Sequence, residues 1–197
     1  MHIKKSQKPI IIVNIISIII FSFIFFFRKN YEFAIYIGVI LFFLFLILKT
    51  NEKIDYPDNV LWGLTAWSIL HMAGGGIRIG ENALYGTMLW PIAGEPYNIL
   101  KYDQLVHAYG FAVATLVSFH LLKPSLSRKV GWISVGIVVA MAGVGLGALN
   151  EVIEFLATVL LPQTGVGGYE NTALDLVANL IGAVAATFYI IKKEKKR

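Results

Sequence analysis

One stretch limits the fold of this chain more than any other. From residue 130 to residue 161 it runs for 32 residues with only two charged side chains, Glu151 and Glu154. As one helix the stretch would be about 48 Å long, against a hydrocarbon layer of roughly 30 Å. So apolar a run belongs in a membrane, where its backbone must satisfy its own hydrogen bonds as helix. The two carboxylates stand three residues apart and share one helix face. Surrounded by Ile, Leu, Val and Ala, they need partners from other segments or a bound ion.

Other apolar stretches fall at 9–27, 31–48, 60–79, 102–122 and 171–191. Together they predict an all-α integral membrane protein with six transmembrane helices, and 57% hydrophobic residues with a mean hydropathy of +0.69 fit that class. The first stretch follows Lys4, Lys5 and Lys8 like a signal peptide, yet it is too long and lacks a small-residue cleavage site. It is expected to stay as a span. Residues 1–59 then form a lipid-facing transmembrane hairpin rich in Ile and Phe, and 60–197 form a four-helix core with a basic cytoplasmic tail. Seventeen of the eighteen glycines follow Leu61, as close helix packing requires, and Gly143, Gly145 and Gly147 mark a bend or a close contact in the fifth span.

The basic residues set the orientation. With six spans and an inner N-terminus, thirteen lie inside: Lys4, Lys5, Lys8, Lys49, Lys53, Lys123, Arg128, Lys129 and five in the tail 192–197. Only Arg28, Lys29, Arg78 and Lys101 lie outside, so both termini are expected in the cytoplasm of a cell-membrane protein. The net charge of +5 is therefore explained by membrane-edge anchors and not by nucleic acid. With no cysteine, disulfides, thiolate metal sites and a Cys nucleophile are excluded.

That orientation gathers the polar residues of the spans at one end. Asp103, His107, Asp175 and Asn179 fall in the outer turns of spans four and six, and His71, Glu151 and Glu154 in the outer halves of spans three and five. Most lie roughly 6–16 Å below the outer boundary at 1.5 Å per residue. Asp103 with His107 and Asp175 with Asn179 are four apart, so each pair projects from one face. Two histidines and four carboxylates on facing helices could hold one or two divalent cations, or carry protons. The candidate metal ligands are His71, Asp103, His107, Glu151, Glu154 and Asp175. The candidate catalytic groups are Glu151, Glu154, Asp103, His107 and Asp175, with Asn179 orienting them. A plainer role competes at each position, because buried polar groups also tie helices together at about 0.6 kcal/mol each. His2 and His120 are assigned no function, Gly74-Gly75-Gly76 lacks the strand and Lys-Ser/Thr of a phosphate loop, and Trp62, Trp90, Tyr102 and Trp132 suit interfacial anchors. Arg78 is expected to snorkel to the interface or to pair with Glu81 or an anionic head group.

Three motifs carry a resemblance. They are Tyr102-Asp103-Gln104-Leu105-Val106-His107-Ala108-Tyr109-Gly110, then Gly147-Ala148-Leu149-Asn150-Glu151-Val152-Ile153-Glu154-Phe155, then Asp175-Leu176-Val177-Ala178-Asn179-Leu180-Ile181-Gly182-Ala183. Over roughly residues 60–190 the chain resembles the YjdF-like bacterial and archaeal membrane proteins. It is also similar to the wider VanZ-like group in the order Asp–His helix, Glu helix, Asp–Asn–Gly helix, with Glu154 where VanZ-like proteins typically carry Gln. The resemblance implies a multi-pass cell-membrane protein, with a link to glycopeptide-antibiotic tolerance in some VanZ members, and implies no particular reaction.

The leading functional expectation is metal-assisted or acid–base action on a lipid or envelope-linked substrate. Two others stand beside it: a small proton- or cation-coupled transporter, and a non-catalytic membrane scaffold whose polar layer serves packing. Against transport, no inverted repeat or interrupted helix pair is visible.

Overall fold

The computed structural model describes residues 3–95, 97–127 and 129–196. His2, Arg128 and Arg197 of the expectations above lie outside the described residues. Six long helices follow one another: α1 (Lys8–Phe27), α2 (Tyr31–Ile54), α3 (Asp58–Gly76), α4 (Tyr102–Leu122), α5 (Trp132–Leu160) and α6 (Tyr169–Glu194). Their boundaries follow local chemistry. Pro9 occupies the first turn of α1, where its missing N–H costs nothing. The Asn30 side chain caps α2 by accepting from the Phe33 N–H at 3.2 Å, and Pro57, in an extended conformation, starts α3.

The structure departs from an all-α chain between α3 and α4. Two small antiparallel hairpins stand there: β1 (Arg78–Ile79) with β2 (Asn82–Ala83), and β3 (Met88–Ala93) with β4 (Ile99–Lys101). Gly80, at φ +62°, makes the first turn in a conformation other residues rarely adopt. Pro91 and Gly94 disfavour helix over the second pair, and the connection condenses into strands.

Five of the six helices, all but α3, are long and apolar enough to cross a membrane. Large apolar side chains such as Ile16, Phe23, Phe42, Ile133, Phe155 and Phe188 stand exposed along them, as in a protein solvated by lipid. The expectation of six apolar spans thus meets one exception, and it has a physical reason. The α3 helix carries Asp58, Asn59, His71 and three consecutive glycines, and from Val60 to Gly76 it buries ten side chains or bare backbones against its neighbours. A helix enclosed by protein has little need of an apolar surface.

Polar pairs tie α1 to α3 and α2 to the start of α1. Asn14 donates to Thr65 Oγ1 at 2.7 Å, and Asn51 donates to Gln7 Oε1 at 2.9 Å. Phe25, Phe33, Tyr36, Ile40 and Met72 fill the space between α1, α2 and α3. The α4 helix packs most extensively on α6, and α6 in turn on α5. Gly182 permits the closest approach, since a Cβ there would lie against the Ala108 carbonyl and 3.0 Å from the Ala112 nitrogen. Gly143 and Gly147 also mark close contacts, against Thr115 and Asn179, while Gly145 faces open space within an unbroken helix.

Candidate functional site

The turn α1–α2, both hairpins and the loop α5–α6 all gather at one end of the bundle, and the polar side chains lie beneath them. Entry into α4 is fixed by Gln104, whose Oε1 accepts from the Leu100 and Lys101 N–H groups at 2.6 and 2.9 Å. Asp103 beside it and His107 one turn on face α5 and α6. On α6, Asn171, Asp175 and Asn179 recur every four residues and form one stripe toward α4.

His107 is the centre. Its Nδ1 lies 3.1 Å from Asn179 Oδ1 and 3.6 Å from Glu151 Oε1. Its Nε2 lies 3.5 Å from Asp103 Oδ1 and 3.9 Å from Glu154 Oε1. With Nδ1–H donated to the Asn179 carbonyl, Nε2 of a neutral ring keeps its lone pair, aimed between two carboxylates. Two amides arrange the acids around it. Asn171 Nδ2 donates to Asp175 Oδ2 at 2.5 Å and to Asp103 Oδ2 at 3.3 Å, and Asn150 Nδ2 donates to Glu154 Oε1 at 2.8 Å. Asp175 and Asn179 are wholly enclosed.

Enclosure without satisfaction is the unusual feature. Both carboxylate oxygens of Glu151, Oδ1 of Asp175 and Nδ2 of Asn179 are buried with no hydrogen-bond partner. Such atoms cost about 1–3 kcal/mol each, more when charged, unless something else contacts them. Asp103, His107 and Asp175 offer ligand atoms within 4.8 Å of one another, and so do His107, Glu151 and Glu154. This buried His/Asp/Glu cluster could hold a metal ion, and its oxygen-rich, imidazole-containing donor set suits a hard or borderline divalent cation.

Six of the expected residues, Asp103, His107, Glu151, Glu154, Asp175 and Asn179, therefore meet. His71 stands apart from both triads. Its Nδ1 lies 2.5 Å from the Tyr85 hydroxyl, and its ring sits among Phe33, Tyr36, Trp67 and Tyr85 at centroid distances of 5.4–5.9 Å. Burial, and next the Asp103 carboxylate, push the Tyr85 hydroxyl well above the ordinary tyrosine range, so it stays protonated as a donor. Tyr85 comes from the connection between the hairpins and rests on the bare backbone at Gly74, while Phe33 rests on Gly75. The glycine run thus serves ring packing. Tyr102, expected as an anchor, instead donates its hydroxyl to the Leu70 carbonyl at 3.0 Å.

A small pocket beside His71 is also lined by Glu32, Tyr36, Tyr85, Asp103, Glu154 and Asn171, and so reaches two of the acids around His107. Glu32 was not expected here. It is 8% exposed, and its Oε2 accepts from the Gly165 N–H at 2.6 Å, holding the loop α5–α6 over the pocket. A lone acid at the start of an Ile/Phe-rich helix gives little signal, whereas Asn171 stands in register with Asp175 and Asn179 and was open to detection by spacing.

A model of the family described as "Predicted membrane protein (DUF2238)" matches residues 9–196. Neither the curated proteins nor the solved structures gave a match. The family match spans α1 to α6 and every residue around His107, and the chain therefore belongs to this family of predicted membrane proteins.

Proposed function

We propose that this protein is a six-span cell-membrane protein, with both termini in the cytoplasm, whose His107 cluster opens toward the outer leaflet and performs metal-assisted or acid–base chemistry on a lipid or envelope-linked substrate. In this reading α3 also crosses the membrane, shielded by its neighbours, and 60–197 form a core that the hairpin 1–59 flanks. The observation that carries the reading is the set of buried oxygens without a hydrogen bond on Glu151 and Asp175 beside His107. Packing alone leaves such atoms unexplained, whereas an ion or an exchangeable proton accounts for them.

Asp103, His107, Glu151, Glu154 and Asp175 would hold the ion, Asn179 would set the imidazole tautomer, and Asn150 and Asn171 would fix the carboxylates. A divalent ion bound there would supply Lewis-acid polarisation of a phosphoryl or carbonyl oxygen. The residues do the rest: they hold the donors in place, exclude water, and leave a carboxylate to take or give a proton. Two observations favour a lipid-linked substrate over a transported solute. An apolar groove between α2, α3, α4 and α5, lined by Phe43, Leu64, Phe111, Leu146 and Ile153, reaches Asn150 and thus Glu154. Toward the far end of the bundle, Phe119, Val135, Val139 and Ile190 form an apolar core between α4, α5 and α6, the three helices that carry the cluster. The motif order supports placing the chain among VanZ-like proteins.

The test is the metal content of detergent-purified protein beside the Glu151→Gln/Glu154→Gln variant. Near-stoichiometric divalent metal in the wild type and its loss in the variant are expected. Absence of metal from both, with no thermal shift on adding divalent ions, would leave proton-linked or structural roles.

A further inference from the structure

Outside the acidic pocket beside His71 lies a second, larger space of opposite charge. A cleft of about 800 Å³ opens between the turn α1–α2, the end of α3 and the loop α5–α6. Arg28, Lys29 and Arg78 line one side. The opposite side, formed by 161–165, carries no charged residue and offers Gln163 and Thr164. The three cations have no ion pair with a carboxylate among the described residues, although Arg78 lies three residues before Glu81. Arg28 is fixed in place by donating to the Gly76 carbonyl, which still leaves guanidinium N–H groups for a ligand. The one acid of the cleft is Glu32, at its inner edge, occupied by the Gly165 N–H.

Glu32, Phe33, Ala83 and Gly165 line both this cleft and the inner pocket. Basic and acidic compartments are therefore adjacent, and the Glu32–Gly165 contact separates them. Three unpaired cations around a concave, neutral-walled space suit a multiply charged oxyanion, which arginine binds through paired N–H groups. A metal ion would be repelled from this cleft, and a bare anion from the carboxylates beyond it. The two spaces together fit a ligand with an anionic end and a reactive part further in.

We propose that the Arg28–Lys29–Arg78 cleft binds the phosphate of a phosphate-bearing ligand and places the adjoining part of that ligand at the His107 cluster. This rests on the reading of that cluster as the reactive site and supplies its substrate class. The source of the phosphate is a lipid head group or free phosphate, and the experiment separates them.

Binding would be measured by calorimetry on the full chain in neutral detergent, with three probes: dioctanoyl phosphatidic acid, dioctanoylglycerol and inorganic phosphate. The variants are Lys29→Gln/Arg78→Gln, at exposed positions outside the proposed catalytic set, and Glu154→Gln. Wild type is expected to bind phosphatidic acid at least tenfold more tightly than dioctanoylglycerol. The double variant should lose at least tenfold for phosphatidic acid only, with an unchanged melting curve. Inorganic phosphate binding with the same dependence on Lys29 and Arg78, and as tightly as phosphatidic acid, would identify free phosphate as the ligand. Equal binding of the two lipids, or a double variant that binds as wild type does, would overturn the proposal. Glu154→Gln should keep phosphate binding while losing metal, so the two sites can fail separately. Phosphate binding without metal would overturn the metal reading alone, and metal without phosphate binding would overturn the cleft alone.

Discussion

Two histidines are buried in this structure, and they are held in opposite ways. His71 meets one hydroxyl, from Tyr85, inside a cage of aromatic rings. His107 meets one amide and three carboxylates, and both oxygens of one of them, Glu151, have no hydrogen-bond partner. The first arrangement is complete in itself. The second is a set of donors around a gap. A histidine that only needs satisfying takes one neutral partner, and a surplus of acids around another points to something further that they receive.

The sharpest test of this contrast exchanges the two. His107→Ala should weaken divalent-metal binding by more than about 100-fold, since even outer partners of a ligand are worth about 10–100-fold. His71→Phe should leave metal binding unchanged and lower only the melting temperature. Equal effects on metal, read by elemental analysis after dialysis against a weak chelator, would dissolve the distinction. Asn179→Ala comes next, with an expected loss of about 10–100-fold, because Nδ1 then has no acceptor fixing the tautomer. Were the affinity unaltered, Asn179 would belong to packing. Tyr85→Phe should cost about 1–3 kcal/mol of stability by orphaning His71, visible as a lower denaturation midpoint with metal affinity intact. Glu32→Gln should have the smallest effect, about 1 kcal/mol, since the amide oxygen still accepts from the Gly165 N–H. Its readout is hydrogen exchange, which should quicken in 161–168 and nowhere near α3. Acidification completes the series. Metal should leave as pH falls, because every donor must be unprotonated to bind, and the His71 side should show no such release.

Spacing explains why the centre of the site was legible in the sequence. Asp103 with His107 and Asp175 with Asn179 repeat at four, and a shared depth follows once the helices alternate in direction. What the chain could not reveal were partners from places without periodicity. Glu32 is alone on its helix face, and Tyr85 comes from a short connection whose strands form from turn residues rather than from a strong β pattern. His71 looked equivalent to His107 because both are lone imidazoles at similar depth. Only the fold sends a tyrosine to one and acids to the other. The weak hydropathy of α3 was likewise read through an apolar average, whereas its surroundings of protein make that average irrelevant.

Gly182 carries a consequence for precision. Where it meets the Ala108 and Ala112 backbones, two main chains touch with no side chain between them. The separation of the Asp103–His107 face from the Asp175–Asn179 face is thus set by a hard stop, like the shoulder of a gauge block, and not by attraction among the charges. Attraction would let the gap shrink or swell with each change of proton or ion. A hard stop holds one aperture through every such change, and a site that must accept one ionic radius and refuse another needs that constancy.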